Sequence, residues 1–131
     1  MIVIGTKCQL HQSVTDTLTA AAAGSGLLPV FGTPFMAAMM ENAAQTALQA
    51  FLEEEQGSVG THLDIRHDAP TPVGMTVWAE AEITGVSENG KMVEFRVRAW
   101  DETGDIGSGV HTRAIINSQR FLEKCQGKLG K

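Results

Sequence analysis

The sequence predicts an α+β fold in which an antiparallel sheet of about five strands wraps one long central helix. One observation behind this is the stretch 33–57, TPFMAAMMENAAQTALQAFLEEEQG, whose helical periodicity carries an apolar arc too broad for a surface helix. The other is the chain after it, where strand-length apolar runs are separated by turn signals in the pattern of a meander. A helix with that much apolar surface is hidden only if the sheet curls round it.

Residues 5–15, GTKCQLHQSVT, are expected to form a first strand. The next stretch, DTLTAAAAGSGLLPVFG (16–32), is small and glycine-containing, which predicts a short helical turn and then a mobile loop. Such a loop beside a helix start serves either as the flank of a ligand site or as a plain connection. Thr33 is read as the N-cap of the long helix, Pro34 as its first helical residue and Gly57 as its terminator. At about 100° per residue, Phe35, Met36, Met39, Met40, Ala43, Ala47, Ala50 and Phe51 share the apolar arc. Asn42, Gln45 and Gln49 form a narrower polar stripe. With a rise of about 1.5 Å, roughly 20 residues span about 30 Å, the width of a small domain. Glu53, Glu54 and Glu55 then return the chain to solvent.

Four further strands are expected at 58–67, 75–86, 91–101 and 106–117. Asn89-Gly90 marks a hairpin between the second and third of these, and Thr103-Gly104 a turn before the fourth. In 58–67, alternation puts Thr61, Leu63, Ile65 and His67 on the buried face and His62, Asp64 and Arg66 on the other. The tail 118–131 reads as a short helix. One helix wrapped by such a sheet is the geometry of a hotdog fold. Its free sheet edges invite pairing with a second copy, so a homodimer is expected.

Composition bounds the function. The 131 residues make one domain, 1–131, with ordinary apolar (43%) and charged (19%) content. A net charge of −5 argues against a nucleic-acid binder, which needs a concentrated basic face. It leaves room for an anionic small molecule held by a few placed donors. No stretch reads as a signal peptide or membrane span, and Cys8 and Cys125 have no metal-ligand spacing. The chain reads as cytoplasmic, with free thiols.

Few side chains suit chemistry. Glu41 is the one ionisable group between Pro34 and Leu52, with Ala37, Ala38, Ala44 and Gln45 as its helical neighbours and Leu48 beyond. It is either a carboxylate partly withdrawn from water, which suits proton transfer, or an acid on the helix boundary facing solvent. Thr33 caps the helix, or its hydroxyl works beside free N–H groups where negative charge develops. His67 ends a strand that packs on the Glu41 helix, and Pro70 and Pro72 stiffen the turn after it. That makes it a positioned acid or base, or a satisfied core histidine. His11 and His62 lie on polar faces. His111 and Arg113 share a face that holds an anion or is simply solvated.

The run from Thr33 through Glu41 to GTHLDIRHDAPTPVGMTV (60–77) resembles the fluoroacetyl-coenzyme A thioesterase-like family of hotdog proteins. IGSGVHTRAII (106–116) resembles that family's last strand, and the likeness covers residues 29–117. It implies hydrolysis of an acyl-coenzyme A thioester by Thr33, Glu41 and His67 acting together, with the Gly60 N–H near the thioester carbonyl. It also implies a dimer with sites at the subunit interface. On this reading Gly60, with Thr33, binds the oxyanion. Glu41 activates water or attacks directly, and His67 handles protons. The coenzyme's tail lies on the surface, with Arg66, Lys91 and Arg113 as its phosphate partners. No metal or further cofactor is expected. Before residue 29 the chain departs from the pattern. AAAAGSGLL (20–28) is small where selective members enclose the acyl group with bulky residues, so fluoroacetyl selectivity is no part of the expectation. The same scaffold also suits a non-catalytic acyl-coenzyme A sensor, in which Thr33, Glu41 and His67 are a polar lining.

Overall fold

The computed structural model describes residues 1–130. Its strands are β1 (Lys7–Ser13), β2 (Gln56–His67), β3 (Thr76–Val86), β4 (Met92–Asp101) and β5 (Gly104–Asn117). They form one antiparallel sheet in the order β1-β3-β4-β5-β2, which leaves β1 and β2 as its edges. Of the helices, α1 (Ala20–Ala23) is one turn, α2 (Thr33–Gln49) is the long one, and α3 (Ser118–Gln126) follows β5. The tail read as helix is helical to Gln126 and continues as a 3-10 turn over Gly127–Leu129; Lys131 lies outside the described residues.

Period-two alternation builds the core. Val77, Ala79, Ala81 and Ile83 of β3 and Val93, Phe95, Val97 and Ala99 of β4 all point inward and are fully buried. They meet Met36, Met40, Ala43, Ala44 and Leu48 of α2, also fully buried. The alanines let the helix approach, and each large apolar side chain hidden here contributes about 1.5–3 kcal/mol. The intervening residues cover the convex face. There Arg96 pairs with Glu82 and Arg98 with Glu80, both at 3.1 Å. Trp78 stacks on Trp100 at 6.3 Å, and the Arg98 guanidinium lies 4.3 Å over the Trp100 ring.

Three local expectations are corrected. Thr33 is not the N-cap. That position is Gly32, which gives no side-chain cap, and Thr33 is the first residue of α2. The glycine is needed because a Cβ there would lie 3.0 Å from the Ala20 backbone nitrogen. Gly57 does not end the helix, which stops at Gln49 with Ala50 as C-cap. Gly57 sits in β2, where a Cβ would come within 2.7 Å of Ser118 Oγ. Thr61 is not on the buried face. The β2–β5 register shifts between Gly60 and His62, so Thr61 is bulged out, exposed, with its hydroxyl donating to Thr112 O at 3.2 Å.

Leu63, Ile65 and His67 turn inward and His62, Asp64 and Arg66 outward, as the alternation requires. The bulge adds one residue of phase, so Gly60 faces the helix along with Leu63. The 16–32 segment, expected as a short helical turn and then a mobile loop, contains the helical turn at Ala20–Ala23 and is tied to the rest of the chain by backbone hydrogen bonds. Ala20 N bonds Val30 O at 2.8 Å, Phe31 N bonds Thr71 O at 2.9 Å, and Gly32 N bonds Leu18 O at 2.9 Å.

Candidate active site

Two groups of polar side chains occupy the concave face. The first joins the start of α2 to the end of β2. Because Gly32 takes the cap position, the Thr33 hydroxyl is released, and its Oγ1 lies 2.7 Å from His67 Nδ1. The His67 ring stands edge-on to Phe31, with centroids 6.3 Å apart. Its other nitrogen, Nε2, is buried and without a hydrogen-bond partner, alone in this among the described side chains. Burial pushes the imidazole below its ordinary range, partly offset by the Asp68 carboxylate. An open cavity of about 320 Å³ adjoins the pair, lined also by Ala20, Ser25, Val30 and Pro70. Leu27, 94% exposed, and Leu28 stand on the loop between Ser25 and Val30.

The second group lies midway along α2. Glu41 is half-buried and reaches over Gly60. A Cβ on Gly60 would lie 3.0 Å from Glu41 Oε2, 3.0 Å from His111 Cε1 and 3.5 Å from Arg113 Nη1. Any larger residue there would have to push these side-chain tips aside. His111 and Arg113 are 1% and 8% exposed, so their face is not the solvated one expected as an alternative. His111 Nδ1 lies 2.8 Å from His62 O, and its Nε2 lies 3.1 Å from Arg113 Nη1. A carbonyl cannot donate and a guanidinium cannot accept, so Nδ1 carries the proton and the ring is neutral. Burial pushes His111 below its ordinary range, in accord with that assignment. Arg113 Nε donates to Ser58 Oγ at 2.9 Å and Nη2 to Ser58 O at 3.0 Å.

Thr33 and His67 are thus brought together, and Glu41 and Gly60 are brought together, but the two pairs stand apart within one chain. The eight positions from Thr33 to Glu41 cover about 12 Å of helix. The seven from Gly60 to His67 cover about 20 Å of strand. Of the residues expected on the surface, Arg66 is exposed and pairs with Asp68 at 3.3 Å. Lys91 lines a groove of about 640 Å³ together with Arg120, Lys124, Phe121 and Glu55. Arg113 is corrected from the surface to the interior. The sequence reading missed Ser58, Arg120 and Lys124. It had a signal for the burial of His111 and Arg113, since both are in phase with the half-buried Ile115. Among the described residues no helix is long and apolar enough to cross a membrane.

A five-stranded antiparallel sheet round one long helix, with these polar groups on its inner face, defines a hotdog-fold protein. A solved structure of a fluoroacetyl-CoA thioesterase is similar over 98% of each chain, with TM-score 0.91 and 33% identity. A Thermus thermophilus thioesterase superfamily member covers 99% of this chain and 94% of its own, with TM-score 0.88 and 29% identity. Fluoroacetyl-CoA thioesterase of Streptantibioticus cattleyicolor is 41% identical over 99 residues, 76% of this chain and 70% of its own. The pattern of the fluoroacetyl-CoA-specific thioesterase family matches residues 14–119, reaching further upstream than the likeness read from the sequence. The chain belongs to that family.

Proposed function

We propose that this chain hydrolyses small acyl-coenzyme A thioesters in a site built from two copies, with Thr33 and His67 of one facing Glu41 and Gly60 of the other. The observation that carries this reading is the 2.7 Å contact between Thr33 Oγ1 and His67 Nδ1. It links the helix start to the strand end beside a cavity and leaves one imidazole nitrogen free for a proton. Glu41 lies too far along the same helix to share a carbonyl with that pair. The free edge of β2 supplies the remedy. If two β2 strands pair antiparallel about an axis at Asp64, with Thr61 bulged out of the ladder, Gly60 of one copy comes opposite His67 of the other.

In this site the Gly60 N–H takes the negative charge that forms on the thioester oxygen. Glu41 either takes a proton from the attacking water or attacks directly to form an anhydride that water then opens, and in both routes the proton released by water passes to His67. His67, oriented by Thr33 and Phe31, returns a proton to the departing thiolate. The phosphates of the coenzyme meet Lys91, with Arg120 and Lys124 in the same groove.

Incubation with a panel of acyl-coenzyme A thioesters, with thiol release as readout, tests the activity. Tight binding without turnover sinks it in favour of a sensor. Light scattering should give twice the 14.0 kDa chain mass. Mixing two inactive variants, Glu41→Gln and His67→Ala, tests the shared site. A mixed dimer then has one site with both changes and one intact site, so about a quarter of native activity should return. No recovery from dimers shown to have exchanged would place all three residues in one chain's site.

A further inference from the structure

A buried guanidinium without a carboxylate against it is costly, because its desolvation is not returned by a counter-charge. Arg113 is in that position. It is 8% exposed, and among the described residues it is in no ion pair. Three of its five N–H groups go to neutral acceptors, namely Ser58 Oγ, Ser58 O and His111 Nε2. Those acceptors solvate the charge without neutralising it, and they fix where it points. Ser58 anchors the fork to β2. His111 is itself held in one tautomer by His62 O, so it works as a rigid prop.

The prop aims the guanidinium at the space above Gly60. Arg113 Nη1 and Glu41 Oε2 approach the same missing Cβ, at 3.5 and 3.0 Å. Glu41 is the anion that faces Arg113 there: burial pushes the guanidinium down, and the Glu41 carboxylate pulls it back up.

Resting on the thioesterase reading, we propose that Arg113 is a positioning residue for Glu41. Held by Ser58 and His111, it fixes the carboxylate over Gly60 and balances the negative charge that gathers there as the thioester is attacked. It is not a phosphate partner of the coenzyme, because the guanidinium is buried and three of its donors are committed inside the fold.

The experiment compares native protein with Arg113→Ala and Arg113→Lys on two substrates. One is an acyl-coenzyme A, and the other is the same acyl group on N-acetylcysteamine, which carries no phosphate. Arg113→Ala should lower kcat on both by about 10²-fold, as for loss of one preorganised charge donor, with KM changed less than about threefold. Millimolar guanidinium ion should restore part of kcat in Arg113→Ala, whereas equimolar urea, neutral and of similar shape, should not. Arg113→Lys keeps the charge but not the fork, and should lose kcat by about tenfold. If Arg113→Ala does not fold, Arg113→Lys carries the test alone. A KM rise confined to the coenzyme A substrate would make Arg113 a phosphate partner and overturn the proposal. So would native-like kcat in both variants, or a kcat loss that guanidinium does not rescue. Native protein inactive on both substrates would instead overturn the thioesterase reading beneath it.

Discussion

His67 and His111 look alike at first. Both lie on the concave face, each beside a phenylalanine, and each has Nδ1 in a hydrogen bond. Burial holds both below the ordinary imidazole range. They differ in the second nitrogen. His111 Nε2 accepts from Arg113, so the ring has no capacity left. His67 Nε2 has no partner, and Nδ1 meets a hydroxyl that can donate or accept. A histidine with both nitrogens committed to partners of fixed polarity is a brace. One with an open nitrogen and an adaptable neighbour is equipped to exchange protons. Surroundings, not residue type, separate the two roles.

The comparison breaks most sharply on turnover. His67→Ala should cut thioester hydrolysis by about 10²-fold or more, and Glu41→Gln by a similar factor. The His67→Ala/Glu41→Gln double variant should be little worse than the worse single, because groups acting as a unit are non-additive. Steady-state rates check this, and multiplicative losses would separate the two half-sites.

On stability the order reverses. His111→Ala strands both His62 O and an Arg113 N–H in the interior, at a cost of about 1–3 kcal/mol. His67→Ala leaves only the exposed Thr33 hydroxyl without its partner, which water can satisfy, so its cost should stay below about 1 kcal/mol. Melting curves of the two variants decide it. Equal losses would mean that His67 is as much a core residue as His111.

Thr33 sharpens the same distinction at smaller amplitude. Gly32 holds the cap, so Thr33→Val should change stability by less than about 0.5 kcal/mol while slowing turnover. Thr33→Ser should keep most of both. A large drop in melting temperature for Thr33→Val would restore a capping role.

The smallest effect is on pH. Both histidines titrate lower in the folded chain than in the unfolded one, so the unfolded chain binds more protons just below the ordinary imidazole value. Their contribution to stability is complete above about pH 6.5 and is lost as pH falls toward their folded values. Melting temperature should therefore be lower near about pH 5.5 than near about pH 7.5, and a His67→Ala/His111→Asn variant should flatten that slope. A flat native profile would contradict the burial of both rings.

The sheet and helix were legible because their signals are local and repeated: the apolar arc of α2, the alternation of β3 and β4, and the Asn89-Gly90 turn between them. Alternation places His67 on the inner face, whereas its grouping with Thr33 comes from the family likeness. What escaped depended on contacts distant in the chain. Thr33 has a good capping side chain, but the approach of Ala20 to Gly32 moves the cap one residue upstream. Gly57 resembles a helix terminator until Ser118 is seen against it. In sequence His111 and Arg113 read either as an anion-holding pair or as a solvated face, since charged side chains are usually exposed. Ser58 and His62, about fifty residues away in sequence, are what hold them inside.

A long unpaired strand edge is a hazard, since any extended chain with free backbone groups can add to it and start aggregation. The edge of β2 runs over twelve residues. Thr61 changes what can attach there. Its extra residue bends the strand and puts Gly60 and Leu63 on one face, so a straight, regularly pleated strand laid along the edge loses step partway. An edge that carries the same irregularity, run in the opposite direction, can stay in step, and a second copy of the chain has such an edge. The bulge thus acts as a key against promiscuous strand addition, and crude solubility should suffer first when Thr61 is deleted.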